Sequence, residues 1–356
     1  MQAGGIEAII CNLVNEMCKE HDVTLCSIYT IKPEQLYEQR LDSRIKRISL
    51  DKTGQGISIK ILIKIFCIIW KGDYDVIHVH GWFYYFLFPV LFLHRKKNFF
   101  YTIHSDAKKE NTPMDMRIIK LKRFCFRHKY IHPITISKPS QNSFTEYYGA
   151  SSKLIYNGVK RNIITSIPEY DYKITPQTKV FIHPARISGE KNQEVLVRVF
   201  SRLIREGKDV VLLLAGQIRN KSIFEKLIPY FNERIKYIGV RSDIPQLMSY
   251  CYGFCLPSIW EGLPVTLLES LSSGCIPVCS PVGGVVEVVQ HGKNGFLSKS
   301  SSEEDYYSTM LDVCELDELQ SIEIKSNCIE SFERFDIIGT VNNYVNYYKQ
   351  ICCVQS

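Results

Sequence analysis

Length, composition and charge indicate a globular protein of two domains. The 356 residues exceed what one ordinary core accommodates. With 45% hydrophobic and 23% charged residues, the composition excludes a disordered or fibrous protein. The net charge of +7 is unevenly shared: residues 1–160 hold 24 Lys and Arg against 14 Asp and Glu, and the rest hold 20 against 23. We therefore expect the first half to face an anionic partner.

The chain opens on a glycine turn instead of a strand. Gly4 and Gly5 precede residues 6–19, whose apolar periodicity predicts a helix. In doubly wound sheets the first strand is usually central, yet only residues 1–3 stand before this turn. We expect the neighbours of that missing strand to have unpaired backbone groups, and the true start to lie upstream.

Two apolar runs, residues 57–70 and 82–94, come closest to membrane spans. Lys60 and Lys64 interrupt the first run, and the second is short and contains Pro89, so neither is predicted to cross a bilayer. No N-terminal segment has the charged-then-apolar layout of a secretion signal. We therefore expect a cytoplasmic protein.

Two predicted strands of the first half end in histidine. His78 and His80 close the strand over residues 76–80, and His104 follows the strand over residues 99–103. The carboxyl ends of parallel strands meet at one edge of a sheet, so these histidines should lie there. His104 is a candidate for polarising or orienting a hydroxyl group; a satisfied structural histidine is the alternative.

Residues 116–130 predict a basic amphipathic helix. Its cations alternate with apolar residues, a pattern suited to lying on an anionic bilayer, with an ordinary solvated helix face as the alternative. Nucleic-acid binding is not expected, because no helix-turn-helix, finger or aromatic platform accompanies these charges. The candidate membrane-facing cations are Arg117, Lys120, Lys122, Arg123 and Arg127.

Short apolar strands alternate with amphipathic helices along most of the chain, which is typical of a parallel α/β architecture. In the first half, the predicted strands are residues 23–29, 76–80, 99–103 and 134–136. In the second half, they are residues 180–184, 210–215, 235–238, 253–256 and 276–279, with helices at 194–206 and 264–273 between them.

A linker is predicted at residues 161–178, which combine two prolines with mixed polarity and weak periodicity. It divides the chain into domains of residues 1–165 and 166–336. Residues 337–351 have helical spacing. This final helix either packs back on the first domain or caps the second.

The thirteen cysteines are interpreted as reduced thiols that serve as small hydrophobic residues. Cys251 and Cys255, like Cys275 and Cys279, are separated by three residues, whereas zinc clusters usually have two. The carboxylates of Asp73-Tyr74-Asp75 form a motif short enough to occur by chance. We expect no metal site and no cofactor.

Arg186 and Lys191 follow the predicted strand that ends near Pro184. Loops at this end of a strand bind ligands in open α/β sheets, and two fixed cations there could neutralise a departing diphosphate. A solvated loop is the alternative.

The densest motif runs from Ser258 to Glu269. A strand leads into a glycine turn at Gly262, and Pro264 then stands at a favoured first helical position. The free N–H groups of Gly262, Leu263 and Val265 could hold an oxygen-rich ligand. Glu261 and Glu269, seven residues between them, suit different hydroxyl groups of one extended ligand better than one bond; exposed helix charges are the alternative.

Together these segments resemble the retaining GT-B glycosyltransferases usually called family 4, over nearly the whole chain. The glutamate pair in its Gly-Leu-Pro setting and the Arg/Lys pair are the specific elements. The other matching segments are Gly4-Gly5-Ile6-Glu7, residues 75–81 and 102–104, Ile136-Ser137, Asn157-Gly158-Val159, Gly216, Gly239 with Asp243, Pro257-Ser258, Gly283-Gly284 with Glu287, and residues 292–297.

The resemblance implies a GT-B fold, in which two facing Rossmann-like, doubly wound domains are joined by a C-terminal crossover helix. The acceptor-side domain would be residues 1–165 completed by 337–356, and the nucleotide-sugar domain residues 166–336. The chain departs from the family at its beginning, where the opening strand is missing. The implied donor-binding residues are Gly4, Gly5, Arg186, Lys191, Glu261, Gly262, Leu263, Pro264, Val265 and Glu269.

The resemblance also implies a hexosyltransferase-type reaction with retained anomeric configuration and no metal. His104, Glu261, Arg186 and Lys191 would be catalytic, and His80 would lie on the acceptor side with the basic helix. The implied co-substrate is a nucleotide sugar, most often uridine-linked in the family, although guanosine donors occur. The acceptor would be a lipid-linked or saccharide precursor of a surface polysaccharide, reached by peripheral association with the inner membrane face.

Two other classes of function stay open at this point. A non-catalytic GT-B scaffold or partner subunit would keep the fold without the reaction. A sugar-nucleotide epimerase would share the architecture, although the glutamate spacing and the basic helix favour transfer.

Overall fold

The structure is a computed structural model that describes residues 4–30, 37–54, 58–81, 91, 98–111, 116–162 and 170–355. The chain divides into two compact units. Unit 1 is Met1–Gly158 with Ile337–Ser356, and unit 2 is Val159–Asp336. The division falls after Gly158 because the Val159 N–H donates to the Phe335 carbonyl at 3.0 Å, whereas Gly158 packs on Thr340.

Unit 1 contains parallel strands with helices between them. Its elements in chain order are α1 (Gly5–Met17), β1 (Thr24–Tyr29), β2 (Lys46–Lys52), α2 (Ile59–Lys71), β3 (Val76–His80), β4 (Asn98–Ile103), α3 (Met116–Arg127), β5 (His132–Thr135), α4 (Lys138–Tyr148), β6 (Lys153–Leu154) and the final helix, α12 (Ile337–Gln355).

The described strands of unit 1 form two parallel sheets, β1–β2 and β3–β4–β5–β6. Within the described residues, β1 and β3 each pair with a strand on one side only. Both sheets nevertheless share one core, since Leu50 of β2 and Tyr101 of β4 belong to the same buried cluster as Ile65 of α2 and Phe126 of α3.

The final helix returns to unit 1, as the fold implied by the resemblance requires. Tyr344 of α12 is buried with Leu13 of α1 and Phe100 of β4, on the face of the sheet opposite to α2 and α3. The Thr340 hydroxyl donates to the Tyr156 carbonyl at 3.3 Å.

Unit 2 has the same alternation of strands and helices. Its elements are β7 (Lys179–Pro184), α5 (Gln193–Arg205), β8 (Val210–Ala215), α6 (Lys221–Leu227), β9 (Ile235–Tyr237), α7 (Ile244–Tyr250), β10 (Gly253–Leu256), α8 (Val265–Ser272), β11 (Ile276–Cys279), α9 (Val285–Val288), β12 (Phe296–Leu297), α10 (Glu303–Glu315) and α11 (Glu318–Phe332).

The six strands of unit 2 are parallel and lie in the order β12–β11–β10–β7–β8–β9. β7, β8, β10 and β11 are buried along almost their whole length, since helices cover both faces of a parallel sheet. Chain order runs outward from β7 through β8 to β9, then restarts on the other side at β10. The strand order therefore reverses between β7 and β10, and doubly wound sheets bind ligands at such a point.

Some predictions fall outside the described residues: the second apolar run except Leu91, the segment before Gly4, and residues 163–169 of the linker. Residues 170–178 of the linker contain no helix or strand. Most of the first apolar run forms α2. Among the described residues, no helix combines the length and apolarity needed to span a bilayer.

Candidate functional site

Two loops of unit 2 meet at the point where the strand order of its sheet reverses. The first, residues 185–192, follows β7, and the second, residues 257–264, follows β10. The Ile259 N–H donates to the Glu190 carbonyl at 2.9 Å. The Asn192 amide donates to the Pro257 carbonyl at 3.1 Å. The loops are therefore tied to each other by hydrogen bonds as well as by the neighbouring strands.

An ion pair joins the predicted site residues of these loops. Lys191 Nζ lies 2.6 Å from Glu261 Oε1, with side chains only 16% and 9% exposed. Arg186 stands in the same loop as Lys191, and its Nη2 lies 3.9 Å from Glu190 Oε1. A lysine ammonium has three donors, so Lys191 retains capacity for a second ligand while it is held by Glu261.

Glycines allow the surrounding backbone to approach these loops closely. Gly283 has φ +53°, and a β-carbon there would overlap the Glu261 carbonyl. The next residue, Gly284, donates its N–H to the Gly262 carbonyl at 2.6 Å. Gly216 has φ +145°, and a β-carbon there would overlap the Ala185 carbonyl. Both contacts require glycine and fix the loops that carry the charges.

The remaining residues that were predicted to bind the donor continue along the second loop into α8. Pro264 precedes α8 in an extended conformation, and Leu263 and Val265 are buried beside it. Within the described residues, the Val265 N–H has no hydrogen-bond acceptor, as expected for the start of a helix. Glu269 is half-buried in the second turn of α8. The sequence assigned these residues to one site, and the structure places them on one loop and its helix.

Two buried residues that no sequence motif indicates, His183 and Gln193, support the first loop. His183 Nδ1 lies 2.8 Å from the Cys255 carbonyl of β10, and its Nε2 lies 3.1 Å from the Gln193 amide. Gln193 also donates to the Arg186 carbonyl at 2.8 Å. Burial lowers the pKa of His183 to about 4, so the ring is neutral near pH 7. His183 lies within a strand and Gln193 at the start of a helix, and neither belongs to a recognisable sequence motif.

Three histidines of unit 1, His78, His80 and His104, lie together near the carboxyl ends of β3 and β4. His80 Nδ1 lies 3.0 Å from His104 Nε2, and the His80 ring stacks on His78. His78 contacts the Tyr348 hydroxyl at 2.6 Å and the Thr102 hydroxyl at 2.7 Å. Burial lowers the pKa of all three histidines, to about 4 for His80. In the described part of the chain, His104 Nδ1 is buried with no hydrogen-bond partner.

Lys122 was predicted to face a membrane, and that prediction is wrong. The residue is 2% exposed, and its ammonium lies over the rings of Tyr101 and Tyr148. Its position on α3 is one turn from Ile119 and Phe126 on the buried face. The charge of Glu110 compensates it there, while burial raises the pKa of Glu110 and lowers that of Lys122.

Glu110 also fixes the loop that carries His104. Its Oε1 accepts the His104 backbone N–H at 2.8 Å, and its Oε2 accepts the Tyr101 hydroxyl at 3.3 Å. The sequence gives no sign of this role of Glu110, because a carboxylate between a strand and a helix usually faces solvent.

The other predicted cations of α3 differ in their surroundings. Arg117, Lys120 and Arg127 are exposed, whereas Arg123 is half-buried. Arg123 donates to the Tyr147 carbonyl at 2.6 Å and Arg127 to the Tyr148 carbonyl at 3.1 Å. Both therefore satisfy carbonyl groups at the C-terminal end of α4.

In the amino-terminal loop, Gly4 precedes α1 and Gly5 begins it.

The cysteines and carboxylates show no metal-binding cluster within the described residues. All thirteen cysteines are free. Burial raises the pKa of Cys251 and Cys255, in keeping with their role as small core residues.

Two family models cover most of the chain. Residues 170–327 match the glycosyl transferases group 1, and residues 3–162 match glycosyltransferase family 4. The first match lies within unit 2, and the second covers most of unit 1. The chain belongs to this family of GT-B glycosyltransferases.

Individual relatives are about a quarter identical to the chain over the part that aligns. An uncharacterized glycosyltransferase of Methanocaldococcus jannaschii is 25% identical over 64% of this chain and 63% of its own length. The Escherichia coli UDP-Gal:alpha-D-GlcNAc-diphosphoundecaprenol alpha-1,3-galactosyltransferase is 22% identical over 64% of this chain and 57% of its own. The chain thus spans less than two thirds of each of these relatives.

Solved structures show the fold over a longer range. Anabaena HepE in complex with UDP-glucose has a TM-score of 0.77 and 20% identity, covering 98% of this chain and 97% of that one. The GT-B architecture expected from the sequence is therefore confirmed.

Proposed function

We propose that the protein is a hexosyltransferase that moves a sugar from a nucleotide diphosphate donor to a lipid-linked acceptor, with retention and without a metal. The observation that carries this proposal is the ion pair of Lys191 and Glu261 beside Arg186. It lies where the strand order of a parallel sheet reverses. These groups provide cations for a diphosphate and a carboxylate for sugar hydroxyl groups.

In this proposal the donor lies on unit 2. Arg186 and Lys191 stabilise the negative charge that develops on the diphosphate as the glycosidic bond breaks. Glu261 and the amide groups from Gly262 to Val265 hold the sugar, while Glu269 accepts the ribose hydroxyl groups. Because the leaving phosphate can help to deprotonate the acceptor on the same face, no protein nucleophile is needed and the configuration is retained.

Unit 1 has the acceptor role in this proposal. His104 is neutral at pH 7, since burial keeps its pKa well below the ordinary value, and it can therefore exchange a hydrogen bond with a hydroxyl group. Its buried Nδ1, which has no partner among the described residues, is the atom available for that bond. Gly4 and Gly5 would contribute backbone amides to the diphosphate.

The proposed donor and acceptor are supported by the names of relatives. The E. coli relative uses UDP-Gal and a diphosphoundecaprenol acceptor, and HepE structures contain UDP or UDP-glucose. A uridine donor and an undecaprenyl-linked precursor of a surface polysaccharide therefore form the first pair to test. Work on such an acceptor would take place at the inner membrane face.

A transfer assay tests this function directly. Purified protein is incubated with UDP-hexoses and a synthetic undecaprenyl-diphosphate sugar, and the product is examined by mass spectrometry and proton NMR. We expect a mass increase of one hexose and the anomeric configuration of the donor, in the presence of a chelator. Donor binding without transfer to any saccharide acceptor would favour a scaffold role, and isomerised donor would favour an epimerase.

A further inference from the structure

The side chain of His104 is held by a second histidine. His80 Nδ1 lies 3.0 Å from His104 Nε2, and the two ring centroids are 5.2 Å apart. His80 closes β3 and His104 follows β4, so the parallel pairing of these strands brings both residues to one edge of the sheet. The backbone N–H of His104 is fixed separately by Glu110. The part of His104 that depends on His80 is therefore the ring.

The ring of His80 is itself supported by the sheet and the final helix. It stacks on the ring of His78, with 4.2 Å between the centroids. Both nitrogens of His78 have partners, the Tyr348 hydroxyl of α12 at 2.6 Å and the Thr102 hydroxyl of β4 at 2.7 Å. A side chain supported by packing and by hydrogen-bonded neighbours keeps one orientation, and this allows His80 to orient His104.

The hydrogen bond between His80 and His104 links the positions of their protons. Burial lowers the pKa of both residues, to about 4 for His80, so both rings are neutral near pH 7. A neutral imidazole has one N–H group and one nitrogen with a free lone pair, so one ring must donate and the other must accept. The choice made at His80 therefore determines which nitrogen of His104 carries the proton.

Burial distinguishes the two possible arrangements. If His80 Nδ1 donated, the proton of His104 would stand on its Nδ1, which is buried and has no acceptor among the described residues. A buried N–H group without an acceptor is costlier and rarer than a buried lone pair without a donor. If His104 Nε2 donates instead, its Nδ1 keeps a lone pair. The proton of His80 then stands on Nε2, which is not a buried atom lacking a partner.

We infer that His80 is a positioning residue: it accepts the Nε2–H of His104 and thereby presents the lone pair of His104 Nδ1 to a substrate hydroxyl group. That hydroxyl group donates its hydrogen bond to the lone pair, and this step transfers no proton to the ring. The inference rests on the proposed function, in which His104 Nδ1 meets a hydroxyl group. It gives His80, which the resemblance only places on the acceptor side, a defined role that acts through His104.

The first test measures the proton on His104 in the unaltered full chain. Nitrogen-15 NMR of protein labelled at its nine histidine rings distinguishes a nitrogen that carries a proton from one with a free lone pair. The signal that disappears in His104→Gln is that of His104. At pH 7.5 we expect its proton on Nε2, and a proton on Nδ1 would overturn the inference. The measurement needs no transfer reaction, so a failed transfer assay would remove the proposed function alone.

Two substitutions at position 80 separate positioning from packing. His80→Leu removes the acceptor, and we expect it to shift the His104 ring signals and to lower kcat of transfer by about tenfold or more, with KM for the donor almost unchanged. His80→Asn places an amide oxygen near the position of Nδ1, so it should keep the proton of His104 on Nε2 and recover most of kcat. Unchanged kcat in His80→Leu, or a His80→Asn variant as slow as His80→Leu, would overturn the inference.

The matched control is His132→Leu. His132 is a buried histidine of the same sheet whose pKa is also lowered to about 4, but it lies at the amino end of β5. Its loss should lower the thermal midpoint and leave kcat and the His104 signals as they are in the unaltered protein. A decrease in kcat as large as that of His80→Leu would show that the loss of any buried histidine of this sheet is sufficient, and would contradict a specific role of His80.

Discussion

Lys191 and Glu261 lie 70 residues apart in sequence, yet their charged atoms are 2.6 Å apart in a largely buried position. Lys191 lies in the loop after β7 and Glu261 in the loop after the neighbouring strand β10, so the pair lies at the point where the strand order of unit 2 reverses. Because both side chains are largely buried, removing either charge leaves the other buried without its partner, which lowers the free energy of unfolding.

The first prediction concerns the stability of this pair. Lys191→Met leaves a buried carboxylate without its cation, and we expect it to lower the free energy of unfolding by about 3 kcal/mol. Lys191→Met/Glu261→Gln removes both charges and should recover most of that loss. Urea unfolding of the two variants and the unaltered protein gives the comparison. If the double variant is as unstable as the single one, the ion pair does not organise the loops.

The second prediction tests the glycine contact behind Glu261. Gly283→Ala places a β-carbon against the Glu261 carbonyl and in a left-handed conformation, so we expect weaker UDP-hexose binding and a lower thermal midpoint. Gly292→Ala is the control, since Gly292 has φ +75° but no atom within 4 Å of a β-carbon. That variant should lose about 1 kcal/mol and retain binding. Equal effects of the two substitutions would argue against the contact.

The third prediction follows from the buried histidines. His80 and His183 have a pKa of about 4 in the folded chain, below the ordinary value of about 6.5. Between these values the unfolded chain binds protons that the folded chain does not, so the free energy of unfolding decreases as the pH falls from about 6.5 toward about 4. Each such histidine should lower the free energy of unfolding by about 1 kcal/mol at pH 5.5 relative to pH 7.5.

Urea unfolding at these two pH values measures this effect. His183→Gln removes one titrating group and should reduce the difference between them. A free energy of unfolding that does not change between pH 7.5 and pH 5.5 would show that the histidines are not held in their neutral form.

The fourth prediction concerns Glu110 and Lys122 of unit 1. Glu110→Gln leaves the buried Lys122 ammonium without its compensating charge, and we expect a loss of about 3 kcal/mol in the free energy of unfolding. Glu110→Gln/Lys122→Met should be more stable than Glu110→Gln alone. In contrast, Lys120→Met on the exposed face of α3 should change little. An effect of Lys120→Met as large as that of Glu110→Gln would contradict the burial assigned to Lys122.

The sequence predicted most of the apolar strands. The expected bounds at residues 76–80, 210–215, 253–256 and 276–279 are those of the structure. In contrast, β2 was missed because Lys46, Arg47, Asp51 and Lys52 give it a polar pattern typical of a loop. β2 is partly buried because it packs against other elements of unit 1, and the local sequence pattern does not encode that packing.

In the candidate site, too, the sequence indicates some of the residues and not others. Arg186, Lys191 and Glu261 could be predicted because cations and a glycine turn after strands form a recognisable local pattern. The burial of Lys122 could not be predicted, because cations are distributed around its helix and only the fold brings Glu110 to it. His183 and Gln193 were missed for the same reason: their function is to brace a neighbouring loop, and only the three-dimensional arrangement shows it.

The most direct test of the central claim is a calorimetric titration of UDP into the unaltered protein, Lys191→Met, Arg186→Met and the control Arg205→Met. Arg205 is an exposed cation at the last residue of α5, at the end of the helix opposite to the first loop. We predict that UDP binds the unaltered protein and the control equally, and that loss of Lys191 or Arg186 weakens binding by about tenfold or more. Equal affinity in all four proteins would contradict the assignment of the diphosphate to this site.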